Sequence, residues 1–115
     1  MDKKQIQTGN KLISEVLMGV NLSKDSLYIN LDFHCSWEII MAAVEKVEGI
    51  SHLLDEDDKL PMCFRVQIQN DECTIYRASN LYGWSEIVSE RIEGKKIESV
   101  WRAIIGFIKW MSRKK

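Results

Sequence analysis

The chain has 115 residues, 45% of them hydrophobic and 29% charged, with four Trp, three Tyr and three Phe. That balance belongs to a folded globular chain and excludes disorder as the main state, while a single Pro and six Gly exclude collagen-like or linker-like character. The net charge of −1 gives the whole molecule no electrostatic reason to seek nucleic acid or an anionic membrane.

Charge is nonetheless divided unevenly. Residues 1–94 carry 9 Lys/Arg against 16 Asp/Glu, a balance of −7, and residues 95–115 carry 7 against 1, a balance of +6. The basic end offers an electrostatic handle to an acidic partner. The simpler account is that Lys109, Arg113, Lys114 and Lys115 offset the dipole at a helix C-terminus. Three cysteines, Cys35, Cys63 and Cys73, form no CxxC pair, and two histidines supply no zinc pattern. The odd count and the absence of an apolar leader in MDKKQIQTGN predict reduced thiols in the cytoplasm of a cell. No apolar run approaches a membrane span.

In chain order, KLISEVLM over 11–18 sets Leu12, Ile13, Val16 and Leu17 on one stripe of a short helix, capped by Asn10 or Thr8 and stopped at Gly19. Ile6 extends the pattern upstream. LYINLDF over 27–33 reads as a strand with Leu27, Ile29, Leu31 and Phe33 on one face. Ser36 caps a second helix, in which Trp37, Ile40, Met41, Val44 and Val47 recur at helical spacing up to Gly49. SHLLDEDDKLP over 51–61 is a loop; its acidic run at 55–58 lacks the Gly and distal Glu of a calcium loop.

MCFRVQIQ over 62–69 alternates strictly, with Phe64, Val66 and Ile68 on one face. Asn70-Asp71-Glu72 has turn chemistry, and CTIYRA over 73–78 completes a hairpin, with Cys73 as a small core residue. The stretch from Trp84 to Ile92 fits a helix stripe or a strand; a strand is preferred because a lone hairpin needs a third partner. KKIESVWRAIIGFIKWMSRKK sets Ile97, Val100, Trp101, Ile104, Ile105, Ile108 and Met111 on a long helix. Gly106 inside it suggests close approach of another element, and Phe107 and Trp110 fall off the main stripe.

These pieces make one α+β domain over 1–115, a small antiparallel sheet covered by helices in the order α-β-α-β-β-β-α. Two layers result if all helices lie on one side. A first helix on the opposite face gives three layers.

Chemistry-bearing patterns are sparse. His34-Cys35-Ser36 places a thiol beside a helix N-terminus and a histidine. Adjacent extended residues point to opposite faces, however, so Ser36 capping, Cys35 packing and His34 at the surface is the preferred reading. The same helix start could hold an anion through free N–H groups, as any helix start could. Tyr28, Tyr76, Tyr82 and Trp84, with Arg65 or Arg77, could stack on bases, but the acidic body opposes a polyanion. Tyr82, Trp84, Phe107 and Trp110 are the candidate interface residues, because aromatics surplus to one small core suit a contact with another chain. The alternative is a larger core.

NKLISEVLMG, FHCSWEIIMAAVEKVE, FRVQIQNDECTIY and KIESVWRAIIGFIKWMSRK together resemble small phage and prophage proteins of the kind common in Bacteroidetes genomes, and the pattern is similar to the phage ABA sandwich domain. The resemblance implies an α/β sandwich and a viral or mobile-element origin, and it carries over no functional residue. The function expected on this basis is a non-enzymatic phage accessory protein, without cofactor or metal, that binds a host protein in the host cytoplasm, as an inhibitor or in counter-defence, and self-associates. Its alternatives are a protein that sequesters a small nucleotide-like signal, a structural phage protein, and an enzyme using Cys35 or the 55–58 carboxylates.

Overall fold

The computed structural model describes residues 2–19, 33–51, 53, 60–79 and 83–113. Their element order is α1 (Lys3–Val16), α2 (Trp37–Glu48), β1 (Cys63–Gln69), β2 (Glu72–Ser79), β3 (Gly83–Arg91) and α3 (Lys96–Arg113). The class is the expected one, α+β with an antiparallel sheet covered by helices. The strand expected over 27–33 lies outside the described residues except for Phe33, which is buried in a turn.

α1 begins well before the expected Asn10 or Thr8. Its cap is Asp2, whose carboxylate accepts from Gln5 N at 2.8 Å while Gln5 Oε1 accepts from Asp2 N at 3.4 Å. This capping box satisfies two of the orphan amides of a helix start. Asn10 is thereby left in mid-helix and turns inward. α2 starts as its sequence indicates, with Ser36 Oγ accepting from Ile39 N at 3.4 Å. Its buried residues are Ile40, Ala43, Val44 and Val47, whereas Trp37 and Met41 are 43% and 39% exposed. At roughly 100° per residue these two sit some 60° and 100° around the helix from Ile40, past the edge of the contact with β1 and α3.

The sheet is ordered β1-β2-β3 and wholly antiparallel. β1 and β2 are joined through Asn70, which takes a positive φ of 38°. The expected third strand forms, with Val88 opposite Ile75 and Glu86 opposite Tyr76, so Ile87 is the extra residue of a bulge. Partners directly opposite one another share a face. Phe64, Val66, Ile68, Cys73, Ile75 and Val88 therefore form the inner face, on which α2 and α3 pack.

α1 packs against α3 on that same side, so of the two arrangements the sequence leaves open the described helices take the two-layer one. α3 touches the sheet on one flank and α1 on another. At both contacts a glycine removes the obstacle. A Cβ on Gly106 would stand 2.8 Å from Val88 Cγ2, and one on Gly9 would overlap Trp101 Cζ2. Any side chain there would hold the partners apart. One hydrophobic cluster runs through all these elements, with Phe33, Ile40, Ile75, Ile104 and Phe107 at its centre. No helix among the described residues is long and apolar enough to cross a membrane.

Candidate functional site

The sequence singles out three places: the turn before α2, the acidic run at 55–58, and the four aromatics. The acidic run, His52 and Tyr82 lie outside the described residues. Among the described residues no group of three His, Cys, Asp or Glu side chains could hold a metal ion.

In the turn before α2, His34 is engaged by a residue far away in sequence. Trp101 Nε1 donates to Asn10 Oδ1 at 2.9 Å, and Asn10 Nδ2 lies 3.0 Å from His34 Nδ1. An indole nitrogen only donates, so the amide oxygen of Asn10 must face it. The amide nitrogen is then a donor toward His34, and Nδ1 accepts. That is the role Nδ1 has in the tautomer with its hydrogen on Nε2. The chain Trp101–Asn10–His34 pins α1, α3 and the turn before α2 together. The histidine next to Cys35 has its Nδ1 committed to Asn10, and Cys35 is exposed. At the start of α2, Ser36 Oγ takes Ile39 N and Ser36 O takes Ile40 N at 2.9 Å. Only the Ile39 amide is thereby withdrawn from an anion, since the Ile40 bond is the first of the helix's own ladder.

The aromatics separate. Phe107 is fully buried in the chain's own core, which corrects its assignment to an interface: α3 is covered from several sides, so its stripe is wider than a helix lying on a single sheet face would need. Trp110 is half-buried. It stacks on Phe107 (centroids 5.8 Å apart, rings inclined 25°) and meets Phe64 edge-on at 5.9 Å. Phe64 also meets Phe107 edge-on at 5.1 Å, and the Arg77 guanidinium caps Trp110 at 5.9 Å from its ring centroid. Three strands and a helix are locked by this cluster, since Arg77 also donates to Ser85 Oγ at 3.4 Å.

Trp84 is different. It is 53% exposed, the most exposed of the large apolar side chains described. It pairs with Ala78, which pairs with Cys63, and the next row is Glu86, Tyr76 and Arg65. Both rows lie on the outer face of the sheet, away from α2 and α3. Cys63, Arg65, Trp84 and Glu86 are exposed there, and Tyr76 and Ala78 are half-buried. An indole, a phenol and an arginine on one rigid pleated surface are the side chains that anchor protein contacts. A second Trp, Trp37, expected on the apolar stripe of α2, is at the surface as well.

Comparison with known proteins finds no matching family model, no matching curated protein and no matching solved structure.

Proposed function

We propose that this chain is a non-catalytic binding protein whose contact surface is the outer face of the sheet, centred on Trp84. The observation that carries the reading is the exposure of Trp84 beside Tyr76 and Arg65 on a face that no described helix covers. A large indole left in water loses the stabilisation its burial would bring, roughly 25 cal/mol per Å² of apolar area. A partner that covers it recovers that stabilisation. Joined to the resemblance of the helix patterns to phage and prophage proteins, the reading becomes an accessory protein that occupies a host protein and blocks it.

The test starts from a partner captured on the tagged chain and then purified. Calorimetric titration with the wild-type chain and with Trp84→Ala follows. A central anchor is worth at least about 2 kcal/mol, so the variant should bind roughly 30-fold more weakly. Equal affinity would sink the reading. Sedimentation of both proteins distinguishes the remaining occupant: a wild-type dimer that becomes a monomer in Trp84→Ala makes a second copy the partner.

A further inference from the structure

α1, the turn before α2 and the start of α3 border a cavity of about 570 Å³. Pockets that hold small organic molecules run from roughly 300 to 1,000 Å³. Ile6, His34, Trp37 and residues 94–98 line it.

Glu98 is the unusual wall residue. It is only 9% exposed, yet its carboxylate has no hydrogen-bond or ion-pair partner among the described residues. Its oxygens are not sealed in, since the one sealed side-chain atom without a partner among those residues is Arg102 Nε. Glu98 precedes Trp101 by one turn of α3, and side chains three apart lie on one side of a helix. Trp101 meets Asn10 and Asn10 meets His34, so the carboxylate lies on the side of α3 that looks toward His34. A carboxylate held mostly out of water without donors is unfavourable, and a ligand that brings N–H groups removes the penalty.

The other walls define what carries those N–H groups. Trp37 is exposed, an indole open to stacking by a flat ring. With Nδ1 of His34 accepting from Asn10, Nε2 is left to donate. Lys95 and Lys96 are exposed at the start of α3, where free amides and the dipole favour an anion. Two lysines and a helix start against one carboxylate oppose a bare cation.

We propose that this cavity binds a guanine nucleotide: the base stacks on Trp37 and donates to Glu98, and the phosphate lies against Lys95 and Lys96. Guanine turns a ring oxygen and two adjacent N–H groups along one edge, the pattern that a histidine donor and a carboxylate complete. Adenine sets a lone pair beside its N–H group and would face the carboxylate with it. The cavity shares no residue with the surface around Trp84.

Titrations of the isotope-labelled chain with guanosine monophosphate, adenosine monophosphate, guanosine and inorganic phosphate, followed by amide NMR, test it. Guanosine monophosphate should shift amides of residues 34–38 and 94–98 and bind at least about tenfold more tightly than adenosine monophosphate. Glu98→Gln should abolish that preference. Lys95→Ala with Lys96→Ala should bring the guanine nucleotide down to the affinity of guanosine. Should Glu98→Gln fail to fold, Trp37→Ala, at the surface, should weaken both nucleotides at least about fivefold. Trp84→Ala should leave every titration unchanged. Equal binding of the two nucleotides, inorganic phosphate binding as tightly as either, a preference that survives Glu98→Gln, unchanged binding in Trp37→Ala, shifts centred elsewhere, or no saturation at millimolar probe would each overturn the proposal.

Discussion

Cys73 is fully buried on the inner face of the sheet, and burial pushes its thiol up from 9.0 to about 12. The folded state therefore holds the thiol proton more tightly than the unfolded state does. Stability from this site is complete below pH 9 and is lost as pH rises from there toward 12, by up to about 1.4 kcal/mol per pH unit. Urea titrations of the wild type and Cys73→Val between pH 8 and 10.5 should diverge above pH 9, the wild type losing more. In the folded protein at pH 8 a disulfide reagent should modify Cys35 and Cys63, which are exposed, and spare Cys73. Asn10 is the second informative residue. Asn10→Ala leaves a buried indole N–H without its acceptor, a cost of about 1–3 kcal/mol. Nitrogen NMR should find the His34 hydrogen on Nε2 in the wild type. A hydrogen on Nδ1 would contradict the geometry of the network.

Among the elements, α3 and α2 are legible in the sequence because their burial is apolar and periodic, and β1 is legible because its alternation is strict. α1 is not. Its buried positions include Gly9, Asn10 and Ser14, small or polar groups that no hydrophobic period marks. The signal that was there is local: an Asp followed three residues later by a Gln. His34 is opaque for another reason, since its partner chain reaches Trp101, and Asn10 and Trp101 lie 91 residues apart. The outward turn of Trp37 and Met41 depends on which flank of α2 meets α3, which a stripe of apolar letters does not encode. Gly106 is the counter-example, a residue whose close approach the sequence did announce. Gly106→Ala gains about 1 kcal/mol of helix propensity but drives a methyl into Val88. Overpacking of about 1–3 kcal/mol outweighs that gain, so thermal unfolding should shift down. Adding Val88→Ala opens the space and should make the pair of changes less damaging than their sum.

For the whole molecule, the four aromatics proposed from sequence divide into inside and outside. Phe107→Ala should cost about 3–5 kcal/mol, because it empties the core at the Phe64–Trp110 cluster. Trp84→Ala should stay within about 0.5 kcal/mol of wild type. Chemical denaturation of both variants checks the pair. A large loss from Trp84→Ala would mean the indole is structural and would remove the ground for placing a contact surface there. The corner between β3 and α3 is tied to the β1–β2 turn by Ser99 Oγ, whose single hydrogen is shared between Asp71 O and Lys95 O and which accepts from Ile92 N at 3.0 Å. Asp71 adds a carboxylate oxygen to Arg91 at 3.2 Å and the other to Gly94 N at 3.3 Å.

α3 follows every other described element in the chain, yet α1, α2 and the strands all rest against it. During synthesis each of them leaves the ribosome with its apolar side uncovered, and at about 5–20 residues per second the wait lasts seconds. Those early segments therefore keep apolar surface open to neighbouring nascent chains until α3 emerges and draws them into place.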